Sequence, residues 1–526
     1  MASVVITYRL MKQKAIKPPS LVRDFSQNNR SVAGHFKKRP EEYWKKRGEK
    51  DMLALFQEMR TSVPAYKSFL KKHKFSGSNR VNAATWAQIP VTDKKNYLTE
   101  YPTEDLCRGG NLEDKNWTIA STSGSTGVAY YFPRTHAQDL QFAMTADAAF
   151  REIFETDKHS TLFVNCFALG VWIGGMFMAQ TLKLLTTIDG HRLTVINPGA
   201  DPVEALKAIK ALGPKFSQVI IGGYAPLVKD LIDRGSREGV RWGRMRMKYF
   251  FAAEGFTEGF RDYLKKKGGM KDIYHDAMNH YGTADMGTMA NETPVSIFIR
   301  RYARAHPKLN HALFGRGIRQ PTLCQYVPEL YYFEEVDGRL LCSGNSGLPL
   351  VRYDLKDVGG VLSWNEITQA FKTHTGKDLH VLLRAANLLG KRWKLPFVYV
   401  HERNDFTISI YSVNIYPDSI HRALGSHEFE EKITGKFTML VDYDKNQDQY
   451  WEIITELQPN VDPDEVLKNN LLDAVVSALA GENSEWKDFY DRADIHKKML
   501  PRITLRNYQD PDFFSGKGKH RWVKKT

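Results

Sequence analysis

From about residue 160 to 287 the chain alternates short apolar runs with segments of helical spacing, and this alternation constrains the fold more than any other feature. Thr161–Phe167, Val219–Ile221 and Tyr249–Ala253 are short and rich in β-branched or aromatic residues, which reads as buried strand. Between the first two, Asp201-Pro202-Val203-Glu204 is a helix start, with a capping Asp, Pro at the first helical position and Glu at the third. Val203, Leu206, Ile209 and Leu212 follow at helical spacing, and Gly213-Pro214 stops the helix. Leu227–Arg234 and Glu258–Lys267 read as further helices, the second ended by Gly268-Gly269, and Ile273–Asn279 leads into Tyr281-Gly282. The β-α-β-α-β order predicts an α/β fold with a mainly parallel sheet covered by helices. Ligands of such sheets bind outside the carboxyl ends of the strands. Gly222-Gly223-Tyr224, Ala252-Ala253-Glu254-Gly255 and Tyr281-Gly282-Thr283-Ala284-Asp285 all fall at such ends.

A chain of 526 residues exceeds one hydrophobic core. Residues 1–48 are basic and read as an extension; helical periodicity begins near Lys50, where Leu53, Leu55, Phe56 and Met59 share a face. After 330, Tyr331–Glu335 and Arg339–Ser343 flank Asp337-Gly338, a hairpin signal. Ser363–Lys394 is rich in charged, helix-forming residues. Near Arg403 the pattern changes to strand Thr407–Tyr411, helix Pro417–Leu424, strands Phe437–Tyr443 and Tyr450–Leu457, and helix Pro463–Leu479. The predicted domains are therefore 49–402, a large α/β domain, and 403–526, a small α+β domain.

The net charge of +15 is spread along the chain, densest at Phe36–Arg47 and Ile299–Arg319, without the spacing of a nucleic-acid motif. Positive potential suits a nucleotide, coenzyme A, an acidic carrier protein or a membrane surface, and much of it is ordinary solvated lysine. Cys107, Cys166, Cys324 and Cys342 lack zinc-ribbon spacing, and a disulfide framework is not expected in a chain of this size, so a reducing, cytoplasmic compartment is expected. Ser3–Tyr8 is too short for a signal-peptide core. Leu162–Ala179 approaches the length of a membrane span but divides into a strand-like and a Gly-containing part, which favours a place in the core and no transmembrane segment.

Thr122-Ser123-Gly124-Ser125-Thr126-Gly127 lies between two strand-like runs. Glycines let the backbone bring N–H groups close to an anion, and the hydroxyls add uncharged donors. Val128 follows, so the loop lacks the lysine of a P-loop, and a solvated Ser/Gly linker would share its composition.

Several separated motifs occur in one order: Thr122–Gly127, Tyr281–Asp285, Pro349-Leu350-Val351-Arg352-Tyr353 with Asp357, Arg403-Asn404-Asp405, Val413-Asn414-Ile415-Tyr416-Pro417 and Gly516-Lys517. This order resembles the adenylate-forming enzymes, and most closely the phenylacetate–CoA ligase branch, which Ser62–Tyr66 and Pro90-Val91-Thr92-Asp93-Lys94 also resemble. The resemblance spans residues 50 to 526. It implies that a carboxylate attacks the α-phosphate of ATP to give an acyl-AMP and pyrophosphate, and that a thiol or amine then takes the acyl group.

The same resemblance implies the site residues. Ser123, Gly124, Ser125, Thr126 and Gly127 would hold the outer phosphates, Tyr281 and Gly282 would lie at the adenine, Asp357 would accept from the ribose hydroxyls, and Arg403 and Glu254 would complete the nucleotide site. Thr283 and Asp285 stand for the phosphate-contacting threonine and the Mg²⁺-binding glutamate. Both depart from the family's Tyr-Gly-x-Thr-Glu: the threonine is shifted by one position and the acid is one methylene shorter. Arg352 reads as structural or nucleotide-contacting, Asn404 and Asp405 as hinge residues, and Lys517 as the adenylation lysine, with Lys519 as its rival. Phe167, Trp172, Gly222, Tyr224 and Ala253 would wall an apolar pocket for an aryl or other hydrophobic acid, although the aromatic ones equally suit a core. The implied cofactors are ATP and Mg²⁺, with CoA as acceptor. An amine acceptor, a non-catalytic or carrier-loading role and a homodimer stay open, and no nucleic-acid partner is expected.

Overall fold

The structure is a computed structural model that describes residues 19–28, 31–75, 81–82, 84–113, 117–121, 130–171, 173–188, 190–315, 320–403, 407–514 and 523. Its strands, in chain order, are β1 (Thr118–Ser121), β2 (Tyr131–Arg134), β3 (Thr161–Asn165), β4 (Leu193–Ile196), β5 (Gln218–Gly223), β6 (Met247–Ala252), β7 (Ala277–Thr283), β8 (Gly287–Asn291) and β9 (Thr322–Tyr326). There follow β10 (Tyr331–Val336), β11 (Arg339–Gly344), β12 (Leu350–Leu362), β13 (Phe397–Arg403), β14 (Ile408–Ile410), β15 (Val413–Ile415), β16 (Ile433–Tyr443), β17 (Gln449–Leu457) and β18 (Arg502–Arg506).

Eleven strands form one sheet in the order β10-β11-β12-β13-β9-β8-β7-β6-β5-β3-β4. The predicted parallel alternation holds from β4 to β7, and from β7 to β10 every pairing is antiparallel. "Mainly parallel" thus describes one half of the sheet. Short turns, like Asp337-Gly338 with φ 51 and 75, reverse the chain at β7–β8, β10–β11 and β11–β12, whereas β8–β9 and β12–β13 are joined through helix pairs and β13 returns to pair with β9.

The helix at Pro202–Leu212 starts as expected, the Asp201 carboxylate accepting from the N–H groups of Val203 and Glu204 at 2.8 and 3.0 Å. Within Ser363–Lys394, helices Trp364–Thr375 and Leu379–Ala385 are capped by Ser363, with Glu366 reaching back, and by Asp378. The apolar run 162–179 is divided between β3, buried along its whole length, and helix Ile173–Leu185. No helix among the described residues is long and apolar enough to cross a membrane. All four cysteines are buried, and none is in a disulfide.

One expectation is corrected. Helix Glu41–Ser62 starts nine residues before Lys50, since Pro40 sets its first turn and Glu41 and Glu42 suit its amino end. Within the stretch read as an extension, helices Ser20–Asn28 and Ala33–Lys38 bury Val22, Phe25 and Phe36, and Phe36 packs on Trp44 and Trp393. Apolar residues at helical spacing outweigh the basic composition there.

Beyond Thr407, β14 and β15 form a hairpin whose tip residues, Tyr411 and Ser412, are both left-handed, with φ 51 and 66. β16 and β17 pair antiparallel, and β18 adds in parallel. Helices Pro417–Leu424 and Glu465–Glu482 pack on this sheet's side of the chain to complete a smaller α+β unit.

Candidate active site

The topology itself marks a site. The chain leaves β3 outward to β4, returns past β3 to β5, and continues through β6 to β7. Right-handed crossovers then place helix Ile173–Leu185 on one face and helices Pro202–Leu212 and Ala225–Arg237 on the other. The carboxyl ends of β3 and β5 open a crevice between the two faces. Phe167 follows β3 and Tyr224 follows β5; both are buried, edge to face, with ring centroids 5.3 Å apart. A Cβ on Gly222 would lie 2.5 Å from the Phe163 ring, so the strand can pass beneath these rings only with glycine. On the next strand, Ala253 takes a left-handed φ of 75 and turns the chain out to present Glu254. Phe167, Gly222, Tyr224 and Ala253 therefore share one end of the sheet, while Trp172 lies outside the described residues.

A second group gathers where the sheet changes from parallel to antiparallel. The Tyr281 hydroxyl donates to Asp357 Oδ2 at 2.5 Å. β12 is four strands from β7, which in a flat sheet would be about 19 Å. The antiparallel half must therefore curl back until the two meet. Asp357 stands directly opposite Arg403 in the β12–β13 register, which brings the arginine's backbone to the same place; its side chain is outside the described set.

Gly282 lets the β7–β8 hairpin close, since a Cβ there would sit 2.6 Å from the Gly287 carbonyl. The Thr283 hydroxyl accepts from the Met286 N–H at 3.1 Å and holds the turn that carries Asp285. Tyr353 donates to Asp285 Oδ2 at 2.6 Å. Burial, and next the Asp285 carboxylate, push the Tyr130 hydroxyl's pKa up, so Asp285 is near the point where the Thr122–Gly127 loop returns to β2. That loop, Lys517, Lys519, Asn404 and Asp405 lie outside the described residues.

The segment Pro90–Lys94 has a structural task here. Thr92 hydrogen-bonds backbone to backbone with Arg352 and Asp354, and Asp93 pairs with Lys356 at 2.7 Å, which fixes β12 beneath Asp357. Arg352 donates to the carbonyls of Ala87 and Ile89 at 2.5 and 2.6 Å and pairs with Glu334, so it is structural. Glu254 is engaged from the small unit: Ser412 Oγ donates to Oε1 at 3.3 Å and Gln449 Nε2 to Oε2 at 3.2 Å. Burial raises its pKa to about 7 despite these donors.

Sequence reasoning missed Tyr353, Ser412, Gln449 and a sealed ion network. In that network Glu258 and Glu292 bind Arg261 and Arg300, and Glu292 also accepts the Asn279 N–H at 2.8 Å at the base of β7. Tyr353 was within a quoted motif; nothing local in the sequence points to the others.

A phenol and a carboxylate joined at Tyr281–Asp357 offer an aromatic face beside a diol acceptor, which suits a nucleoside. Asp285 suits a cation that takes one carboxylate and draws its remaining ligands from water and phosphates. Among the described residues no group of three or more His, Cys, Asp or Glu side chains could hold a metal ion by itself.

No family model matches this sequence, and no curated protein matches it. Solved structures do. A 2-hydroxyisobutyryl-CoA ligase in complex with 2-HIB-AMP and CoA in the thioesterification state superposes with a TM-score of 0.60 at 15% identity, covering 94% of this chain and 91% of its own. The chain has the fold of this CoA ligase. The same ligase in the postadenylation state, in complex with R3-HIB-AMP, superposes at 0.51 with 14% identity over 94% of this chain and 92% of its own. The shared fold covers the sheet that carries Phe167, Tyr281 and Asp357 and extends into the smaller unit after Thr407.

Proposed function

We propose that this protein is an ATP-dependent, carboxylic acid-activating ligase that forms an acyl-AMP and pyrophosphate and then transfers the acyl group. The observation that carries the reading is the Tyr281–Asp357 hydrogen bond with Arg403 opposite Asp357. It supplies a nucleoside platform at the strand ends of a fold shared with a CoA ligase.

In this reading Asp357 accepts from the two ribose hydroxyls and Tyr281 lies along the base. Ser123, Gly124, Ser125, Thr126 and Gly127 cradle the outer phosphates beside Asp285. Asp285, with Tyr353 fixing its second oxygen, would be the protein's carboxylate for Mg²⁺, and the ion would offset charge as two anions approach. Thr283 acts by holding the turn. Lys517 would reach the α-phosphate when the small domain, residues 403–526, is turned the other way. Phe167 and Tyr224 wall the acyl group, which favours an aryl or other hydrophobic acid, and Gly222 lies at the base of this wall against the Phe163 ring. Glu254, in the present arrangement, is held by the small domain rather than by nucleotide. CoA is the acceptor favoured here, as for the ligase whose fold the chain shares, and the better superposition on its thioesterification state supports reading the present arrangement as the acyl-transfer one; an amine is the alternative acceptor.

The test is carboxylate-dependent ATP–pyrophosphate exchange over a panel of aryl and alkyl acids. Exchange with at least one acid is expected, and Lys517→Ala should lower it by about 10²-fold or more, the scale of losing a transition-state cation. No exchange with any acid would overturn the reading. CoA or amino acids added to the acyl-AMP then identify the acceptor.

A further inference from the structure

The small unit is docked on the large one by a defined socket on helix Ala225–Arg237. The tip of the β14–β15 hairpin places Tyr411, which is buried, with its hydroxyl on Asp230 Oδ2 at 2.6 Å. Lys498 pairs with both Asp230 and Asp448. One position earlier on the helix, Lys229 bridges Asp233 and Asp448, each at 2.7 Å. Gln449, next to Asp448, uses its Oε1 to accept from the Tyr411 N–H at 2.9 Å and its Nε2 to donate to Glu254. Two non-glycine residues in succession at positive φ, Tyr411 and Ser412, form the tip, and such backbone persists only where its surroundings over-determine it. A two-residue hairpin loop calls for this backbone, and it is held by Gln449 from within the small unit and by the contacts to Asp230 and Glu254 across the seam.

We infer that Asp230 is a positioning residue that selects the acyl-transfer arrangement of the small domain over the adenylation one, by receiving Tyr411 and Lys498 together. This inference rests on the two-step reading above for its catalytic consequence, though the docking itself does not. Lys229 and Asp448 complete the socket, and none of the five is among the hydrogen-bond partners described for Tyr281, Asp357 or Asp285. Loss of the socket should thus change which arrangement is populated while the nucleotide site stays intact.

All four native cysteines are buried, so spin labels on Val203→Cys and Lys487→Cys, an exposed pair on the two units, report the domain arrangement without side labelling. In the otherwise wild-type chain a short inter-label distance is expected to dominate, and Asp230→Asn should move most of that population to longer distances. Asp230→Asn should also slow acyl transfer from preformed acyl-AMP about ten-fold, the scale of one charge-assisted hydrogen bond, with pyrophosphate exchange unchanged or faster. Tyr411→Phe and Lys498→Met should give smaller effects in the same direction. Each should add little when combined with Asp230→Asn, since the pair acts through one carboxylate.

Equal loss of exchange and transfer in Asp230→Asn would make the residue merely structural and overturn the inference, as would an unchanged distance distribution. Where the wild-type chain shows neither exchange nor transfer with any acid yet the distance shifts, the enzymatic reading fails and the socket stands.

Discussion

Two ion networks of like composition sit in this protein in unlike places. Inside the large domain, Glu258, Glu292, Arg261 and Arg300 have side chains no more than 2% exposed. At the seam Lys229 is equally sealed, but Asp233, Asp448 and Lys498 are 27–35% exposed and Asp230 is 19% exposed. Separating a sealed network leaves charges without partner or water, whereas separating the seam lets most of its charges hydrate. The first is therefore built to stay closed and fixes β7 under Tyr281. The second, on the two-arrangement reading proposed above, is suited to release the small unit.

Opening the sealed network should cost the most. Arg300→Met leaves Glu258 and Glu292 sharing the remaining arginines and should lower unfolding stability by about 3–5 kcal/mol in a denaturant titration. A loss below about 1 kcal/mol would show that the network is no more committed than a surface pair.

Glu254 gives the next largest effect, and its sign follows from its raised pKa. Docked against Ser412 and Gln449, its carboxyl titrates near pH 7 rather than at the ordinary 4.5. Below about 4.5 it is protonated in both the docked and the exposed state. As pH rises from about 4.5 to 7 the exposed state ionises first, so the docked arrangement loses ground, by about 3 kcal/mol once pH exceeds 7. Glu254→Gln should abolish this decline. Wild type and variant compared by inter-label distance across that pH range check it, and parallel profiles would refute it.

What the sequence disclosed follows from how local each feature is. Asp201-Pro202, Ser363 with Glu366, and Asp337-Gly338 act within a few residues, and the structure has their helices and turn in place. The parallel half was legible because each βα unit repeats one local pattern. The antiparallel half was not, since its order, with β13 inserted between β12 and β9, depends on pairings between strands far apart in the chain. Tyr281 and Asp357 were legible as residues through a motif, and only the curl of the sheet explains their contact. Tyr411, Gln449 and Asp230 carried no signal, because a socket between two units leaves no spacing in either.

The seam supplies the smallest effect and the sharpest contrast. Asp448→Asn removes the carboxylate that Lys229 and Lys498 share, leaving Lys229 on Asp233 and Lys498 on Asp230. Each lysine keeps one anion, so the cost should be about 1 kcal/mol of docking, not the penalty of an orphaned charge. Partial exposure also makes the interaction salt-sensitive: the Debye length falls from about 10 Å at 0.1 M to about 3 Å at 1 M. High salt should therefore shift the wild-type inter-label distance toward the open population, and in Asp448→Asn the same salt step should shift it less. The stability loss of Arg300→Met should stay nearly constant over that step, because Arg300 and the two carboxylates it binds are sealed from solvent ions, only Arg301 on the other oxygen of Glu258 being 26% exposed. Equal salt responses in the two variants would mean that the seam is as sealed as the core network, and that the small domain is fixed rather than docked.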